Sequence, residues 1–173
     1  MDAFLVLDKP RGLSSQQAVS RVRRALGCDK AGHTGTLDPL ATGVLPIALG
    51  EATKAIPYLD EDQKIYRVEG LLGSATDTYD AEGRETHRSP GFVVEGAALE
   101  AALPGFLGEQ DQMPPVYSAI KKDGKPLYAY ARQGQETEIS ARRIRIDGIL
   151  LESFDFPKLT LRVTCGKGTY IRS

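Results

Sequence analysis

The sequence predicts an α+β fold, with a mixed and largely antiparallel sheet flanked by helices. Helix-like and strand-like segments intermix without the regular strand–helix–strand beat of a parallel sheet. Several segments alternate apolar and polar residues, as a half-buried strand does. Turn-forming Gly, Pro and Asp residues punctuate the segments, and no repeat, low-complexity stretch or linker interrupts them. At 173 residues the chain suits one domain, residues 1–173, with a substantial core.

Phe4–Leu7 reads as a strand stopped by a turn at Asp8-Lys9-Pro10. Ser14-Ser15 then opens a helix with Ala18, Val19, Val22, Ala25 and Leu26 on one face and Gly27 closing it. Ser14 is its N-cap, since a hydroxyl there accepts from an otherwise unpaired N–H. Ala31–Gly43, rich in Gly, Thr, Asp and Pro, reads as a structured loop throughout. Val44–Leu49 is a buried strand, and Glu51–Leu59 a short helix interrupted near Pro57. Lys64–Leu72 is a strand and Gly73–Gly83 a polar loop. Glu95–Leu103 is a helix ended by Pro104-Gly105, and Met113-Pro114-Pro115 fits neither regular element. Pro126 starts a helix to Arg132. Ile144–Glu152 and Leu159–Thr164 complete the strands, the second placing Leu159, Leu161 and Val163 opposite Thr160, Arg162 and Thr164.

Composition narrows the function. Hydrophobic content is 41% and charged content 26%, both ordinary for a globular protein. Met1–Leu7 lacks the basic start of a signal peptide, and no apolar run approaches the roughly 20 residues of a membrane helix. Cys28 and Cys165 are far apart and outside any CxxC, which points to a reducing, cytoplasmic setting. Net charge is −1 but segregated. Residues 1–54 hold seven basic against five acidic side chains, 55–112 four against twelve, and 113–173 eleven against six. An RNA partner would therefore meet the two basic ends.

The segment Gly32–Leu45, GHTGTLDPLATGVL, carries the chemistry. Its three glycines allow close backbone approaches, and Pro39 restrains Asp38 to an extended or turn conformation. A carboxylate on a rigid loop beside a strand can act as nucleophile or base. The same residues also describe a turn aspartate bonding its own backbone. Other chemistries fit worse. No GxxxxGK[ST] or GxSxG string occurs, and His33 and His87 lack partners at metal-ligand spacing, so no metal site is expected.

The string GHTGTLDPLATGVLPIALGEATK strongly resembles the signature of the bacterial TruB-type tRNA pseudouridine-55 synthases. LVLDKPRGLSS, KIYRVEGLLGSATDTYDAEG, QMPPVYSAIKKDGKPLYAYARQG and KGTYIRS are similar to further family strings in the same order, so the resemblance spans nearly the whole chain. It implies the pseudouridine synthase fold, incomplete here because the family continues past GTYIRS into more of the catalytic domain and a C-terminal RNA-binding domain. It makes Asp38 the catalytic nucleophile. Tyr66 would pack on the target uracil, Tyr170 would wall the pocket, and Arg172 would pair with the carboxylate. His33 would contact the rearranged RNA loop, while Lys9 and Pro10 match a structural motif. The implied partner is the TψC stem-loop of tRNA, met by a monomer without guide RNA or membrane.

The reaction suits these residue types. Pseudouridine formation breaks an N-glycosidic bond, turns the base and rejoins it through carbon. Nothing is oxidised and no group is donated, so no cofactor is expected. Asp38 could add to the base, add to the sugar, or remove a sugar proton. Arg172 beside it would favour the ionised form, and a tyrosine gives uracil a flat face. A stacked uridine must first be extruded, at a cost of a few kcal/mol. Phosphate contacts from Arg142, Arg143, Arg145, Lys121, Lys122 and Lys125 would offset this, and residues 113–140 would form a lid over the RNA. Two alternatives share the motif: a guide-RNA-dependent synthase, and a non-catalytic chaperone that folds tRNA.

Overall fold

The computed structural model describes the chain apart from residues 60–62, 119, 123, 128, 129, 131, 132, 134 and 136–138, and describes 121, 122, 125 and 126 by their backbone alone. Two compact units divide it, Met1–Asp60 and Glu61–Ser173. Helices and antiparallel strands make up both, as an α+β fold requires.

In the first unit, β1 (Ala3–Lys9), β2 (Ala31–His33) and β3 (Gly43–Leu49) form an antiparallel sheet in the order β1-β3-β2. The register sets Leu5 opposite Ile47 and Leu7 opposite Leu45. With a side-chain period of two, these residues share one face. Against it packs α1 (Ser15–Ala25), whose Ala18 and Val19 join Leu45, Ile47 and Leu49 in the buried core. Burying a side chain such as Val19 contributes roughly 1.5–3 kcal/mol. Ser14 and Gln17 start the helix with a reciprocal capping box, at 3.2 and 2.9 Å. Past its end, Gly27 takes a left-handed φ of 62°. A 3-10 helix, Gly50–Tyr58, follows β3.

Three expectations change here. The first strand does not stop at Leu7 but runs to Lys9, which pairs with Gly43. Its lysine side chain is wholly buried, so the strand signal was masked by a charge. Ala31–His33 is not loop: the free edge of β3 captures it as a third strand. Pro57 lies inside the 3-10 helix without interrupting it.

The second unit is built on a four-stranded antiparallel sheet of β4 (Lys64–Leu71), β7 (Gly108–Gln112), β10 (Arg142–Asp155) and β11 (Lys158–Cys165), ordered β4-β11-β10-β7. Ile144, Leu159, Val163 and Cys165 are buried on it. The expected polar loop Gly73–Gly83 contains the short strand β5 (Ser74–Thr76), which pairs as a hairpin with β6 (Glu85–Arg88) just beyond it. Helix α2 (Gly96–Ala102) gives way to a 3-10 turn, Leu103–Phe106, which accommodates Pro104 in its first turn. A two-residue pair, β8 (Lys121–Lys122) with β9 (Lys125–Pro126), lies between β7 and β10 in sequence. The helix expected over Pro126–Arg132, and much of the expected lid, fall largely outside the described residues. Cys28 and Cys165 are free thiols. No helix among the described residues is long and apolar enough to cross a membrane.

Candidate active site

Asp38 sits on the connection between β2 and β3, and the peptides on both sides of it are fastened. Before it, the Ser15 hydroxyl accepts from the Leu37 N–H at 2.8 Å and donates to the Leu37 carbonyl at 3.0 Å. After it, the Pro39 carbonyl accepts from the Gly12 N–H at 2.7 Å. The Asp38 carbonyl accepts from Ala41 N–H at 3.0 Å, which closes a turn. Leu37 also packs against the core of the unit, anchoring the loop from below.

Lys9 organises the turn that supplies Gly12. Its buried ammonium donates to the carbonyls of Leu13 at 2.7 Å and Pro10 at 3.1 Å. Burial lowers the Lys9 pKa, while the charge of Asp38 acts in the opposite direction. The motif assigned a structural role in the sequence thus reaches the Asp38 loop through hydrogen bonds. His33 ends β2, opposite Ile47. It is half-buried, and this burial lowers its pKa against the raising effect of a hydrogen bond with the Gly35 backbone, so the ring is neutral at neutral pH.

Tyr66, Tyr170 and Arg172 belong to the second unit. Tyr66 lies on β4 opposite Val163, on the buried side of the sheet. Tyr170 follows β11, and the Gln112 side chain grips it twice: its amide oxygen accepts from Tyr170 N–H and its NH₂ donates to Tyr170 O, both at 2.8 Å. The same NH₂ reaches Ser173 O at 3.2 Å. Arg172, 14% exposed, donates to Thr78 O at 3.1 Å and Tyr117 O at 3.0 Å, and lies 3.7 Å from the Asp80 carboxylate. Asp80 is itself set by Thr78 Oγ1 at 2.8 Å and Glu82 N–H at 3.0 Å.

Sequence reasoning missed Ser15, Gln112, Asp80 and Tyr117. Ser15 was read only as part of a helix start, and the others stand 58, 92 and 55 positions before the residues they hold (Tyr170, Arg172 and Arg172). Only a buried guanidinium's need for acceptors could have hinted at them. Two arginines read as phosphate contacts have acidic neighbours: Arg143 lies 3.2 Å from Glu109, and Arg145 2.7 Å from Asp147. The side chains of Lys121, Lys122 and Lys125 lie outside the described residues.

Known proteins resemble this chain along its whole length. Residues 23–171 match the model of the TruB family pseudouridylate synthase (N terminal domain). The whole chain is 49% identical to the tRNA pseudouridine synthase B of Geobacter sulfurreducens, covering 57% of that protein. It is 54% identical over 172 residues to the tRNA pseudouridine synthase B of Cupriavidus taiwanensis, covering 54% of it. The chain thus spans little more than half the length of these relatives. Among solved structures, a chain of a Cbf5-Nop10-Gar1 complex matches with a TM-score of 0.70 and 28% identity, over 98% of this chain and 41% of that one. A chain of an H/ACA RNP bound to a substrate RNA containing 2'-deoxyuridine matches at 0.67 and 27%, over 98% and 39%. With a family model covering most of its length and relatives near half identity, the chain belongs to the TruB family of pseudouridylate synthases.

Proposed function

We propose that the chain is the catalytic part of a tRNA pseudouridine-55 synthase, with its two units forming one catalytic domain. It isomerises a uridine of the TψC loop, using Asp38 on a uridine swung out of the RNA. The observation that carries this reading is the Asp38 loop, whose flanking peptides are held by Ser15 and Gly12 in a chain of this family. A reacting carboxylate needs such pre-organisation, because catalysis rewards placement within about half an ångström.

In this reading Asp38 attacks the nucleotide while the N1–C1′ bond breaks. The freed base turns, C5 bonds to C1′, the bond that Asp38 formed breaks to return its carboxylate, the C5 proton leaves and N1 gains one. Atoms balance without oxidant, reductant or cofactor. The reading gives Arg172 the role of cationic partner to the reacting carboxylate. Tyr66 stacks on the uracil, Tyr170 walls the pocket, and neutral His33 offers a hydrogen bond to the RNA loop. The enzyme works as a cytoplasmic monomer on tRNA without guide RNA.

The guide-dependent alternative has support in the complexes named among the structural neighbours, but at 27–28% identity against 49–54% for the tRNA pseudouridine synthase B relatives. A single experiment separates these readings. Mass-spectrometric mapping of pseudouridine in a bare tRNA transcript incubated with the chain should show conversion in the TψC loop. Conversion only after adding a guide RNA would favour the alternative, and an Asp38→Asn chain that still folds tRNA without product would be required of a chaperone.

A further inference from the structure

We infer that Ser15 is a positioning residue for Asp38, its hydroxyl standing in for a missing neighbouring strand. This rests on the reading of Asp38 as the reacting group. A residue presents its N–H and C=O to the same side only where its backbone is extended, and in a sheet the adjacent strand satisfies both. The sheet has no strand at Leu37, since β2 ends at His33 and β3 begins at Gly43. One oxygen takes the place of that strand, accepting from Leu37 N–H at 2.8 Å and donating to Leu37 O at 3.0 Å.

Three features make the clasp rigid. Ser15 lies in the first turn of α1, beside the Ser14–Gln17 capping box, so its backbone is fixed. It is 2% exposed, so water does not compete for either bond. Leu37 packs into the same core as α1, so its peptide and side chain are held together. Removing the oxygen would leave the N–H and the carbonyl of half-buried Leu37, the residue before the carboxylate, without this partner. A shift of about 1 Å in a reacting group lowers turnover by about a hundredfold.

The test compares Ser15→Ala, Ser15→Thr and Ser20→Ala in the full chain. Ser20 is a matched control, because its hydroxyl donates within the same helix, to Gln16 O at 2.9 Å. Amide exchange read by NMR should show Leu37 N–H exchanging about tenfold faster in Ser15→Ala, with the amides of β1 and β3 unchanged. On tRNA transcript, kcat should fall about a hundredfold with KM within about threefold. Threonine should restore most of both, and Ser20→Ala should change neither. Unchanged Leu37 exchange in Ser15→Ala would overturn the inference, as would a loss spread equally over KM and kcat. Unchanged turnover in Asp38→Asn would instead sink the reading of Asp38, and Leu37 exchange would still decide whether the clasp exists.

Discussion

The Asp38 loop and the Tyr170–Arg172 tail are both held from outside, but in different ways. Each has one residue gripped at N–H and C=O by a single side chain, Ser15 on Leu37 and Gln112 on Tyr170. At the loop the grip falls on peptides flanking the acid, and none of these clasping bonds runs through the carboxylate. At the tail the charged group is itself scaffold, since the Arg172 guanidinium bonds Thr78 O and Tyr117 O and faces Asp80. The lesson is a division of labour. The acid is placed by its neighbours, whereas the cation helps to hold its own surroundings together.

That contrast sets the order of expected effects. Asp38→Asn should abolish product, by about 10⁴-fold or more in turnover, while moving the unfolding midpoint far less than Arg172→Met. The arginine replacement should lower stability as well as activity, by about 3 kcal/mol, because it removes the cation beside a mostly buried Asp80 and the donor to Thr78 O and Tyr117 O. Chemical denaturation of both variants checks this, and equal losses of stability would erase the distinction. Gln112→Ala should cost about 1–3 kcal/mol through the stranded Tyr170 peptide, and tail amides should exchange faster while those of α1 do not.

The smallest effect is expected away from both regions, on the outer face of the second sheet. There Arg67 and Arg162 stand directly opposite each other, a repulsive placement relieved by Glu152 between them. Arg162 first and Arg67 second hold the Glu152 carboxyl below the usual carboxylate range. A depressed folded pKa stabilises at pH above the unfolded value of about 4.3 and loses that contribution as pH falls through the folded value. Glu152→Gln should therefore lower the thermal midpoint near neutrality, with the difference shrinking in acid. A difference that grows on acidification would contradict the assignment.

How much of this was legible depends on where the determining contacts lie. Strand β4 was plain, because its residues alternate in burial along its whole length; β11 was found by its apolar residues, although Thr160, expected on the face opposite Leu159, is buried as well. Helix α1 announced its start through Ser14 and its end through Gly27. Strand β7, Gly-Glu-Gln-Asp-Gln, carries no apolar pattern and exists because the edge of β10 pairs with it. The β5–β6 hairpin hid in a polar stretch for the same reason. Asp38 stood out through its glycine-rich surroundings and the family strings around it. Ser15 did not, since a serine at a helix start already has an ordinary explanation. The partners of Arg172 were out of reach for any local pattern, lying 94, 92 and 55 residues away.

One measurement bears on the central claim most directly. Forming the carbon link requires the C5 hydrogen of the target uridine to leave, so tRNA transcript labelled with tritium at uracil C5 should release it to water. The unaltered chain should release one equivalent per tRNA, Ser15→Ala should do so about a hundredfold more slowly, and Asp38→Asn should release none while still binding the RNA. Release by the asparagine variant at the unaltered rate would show that the carboxylate held between Ser15 and Gly12 is not the group that reacts.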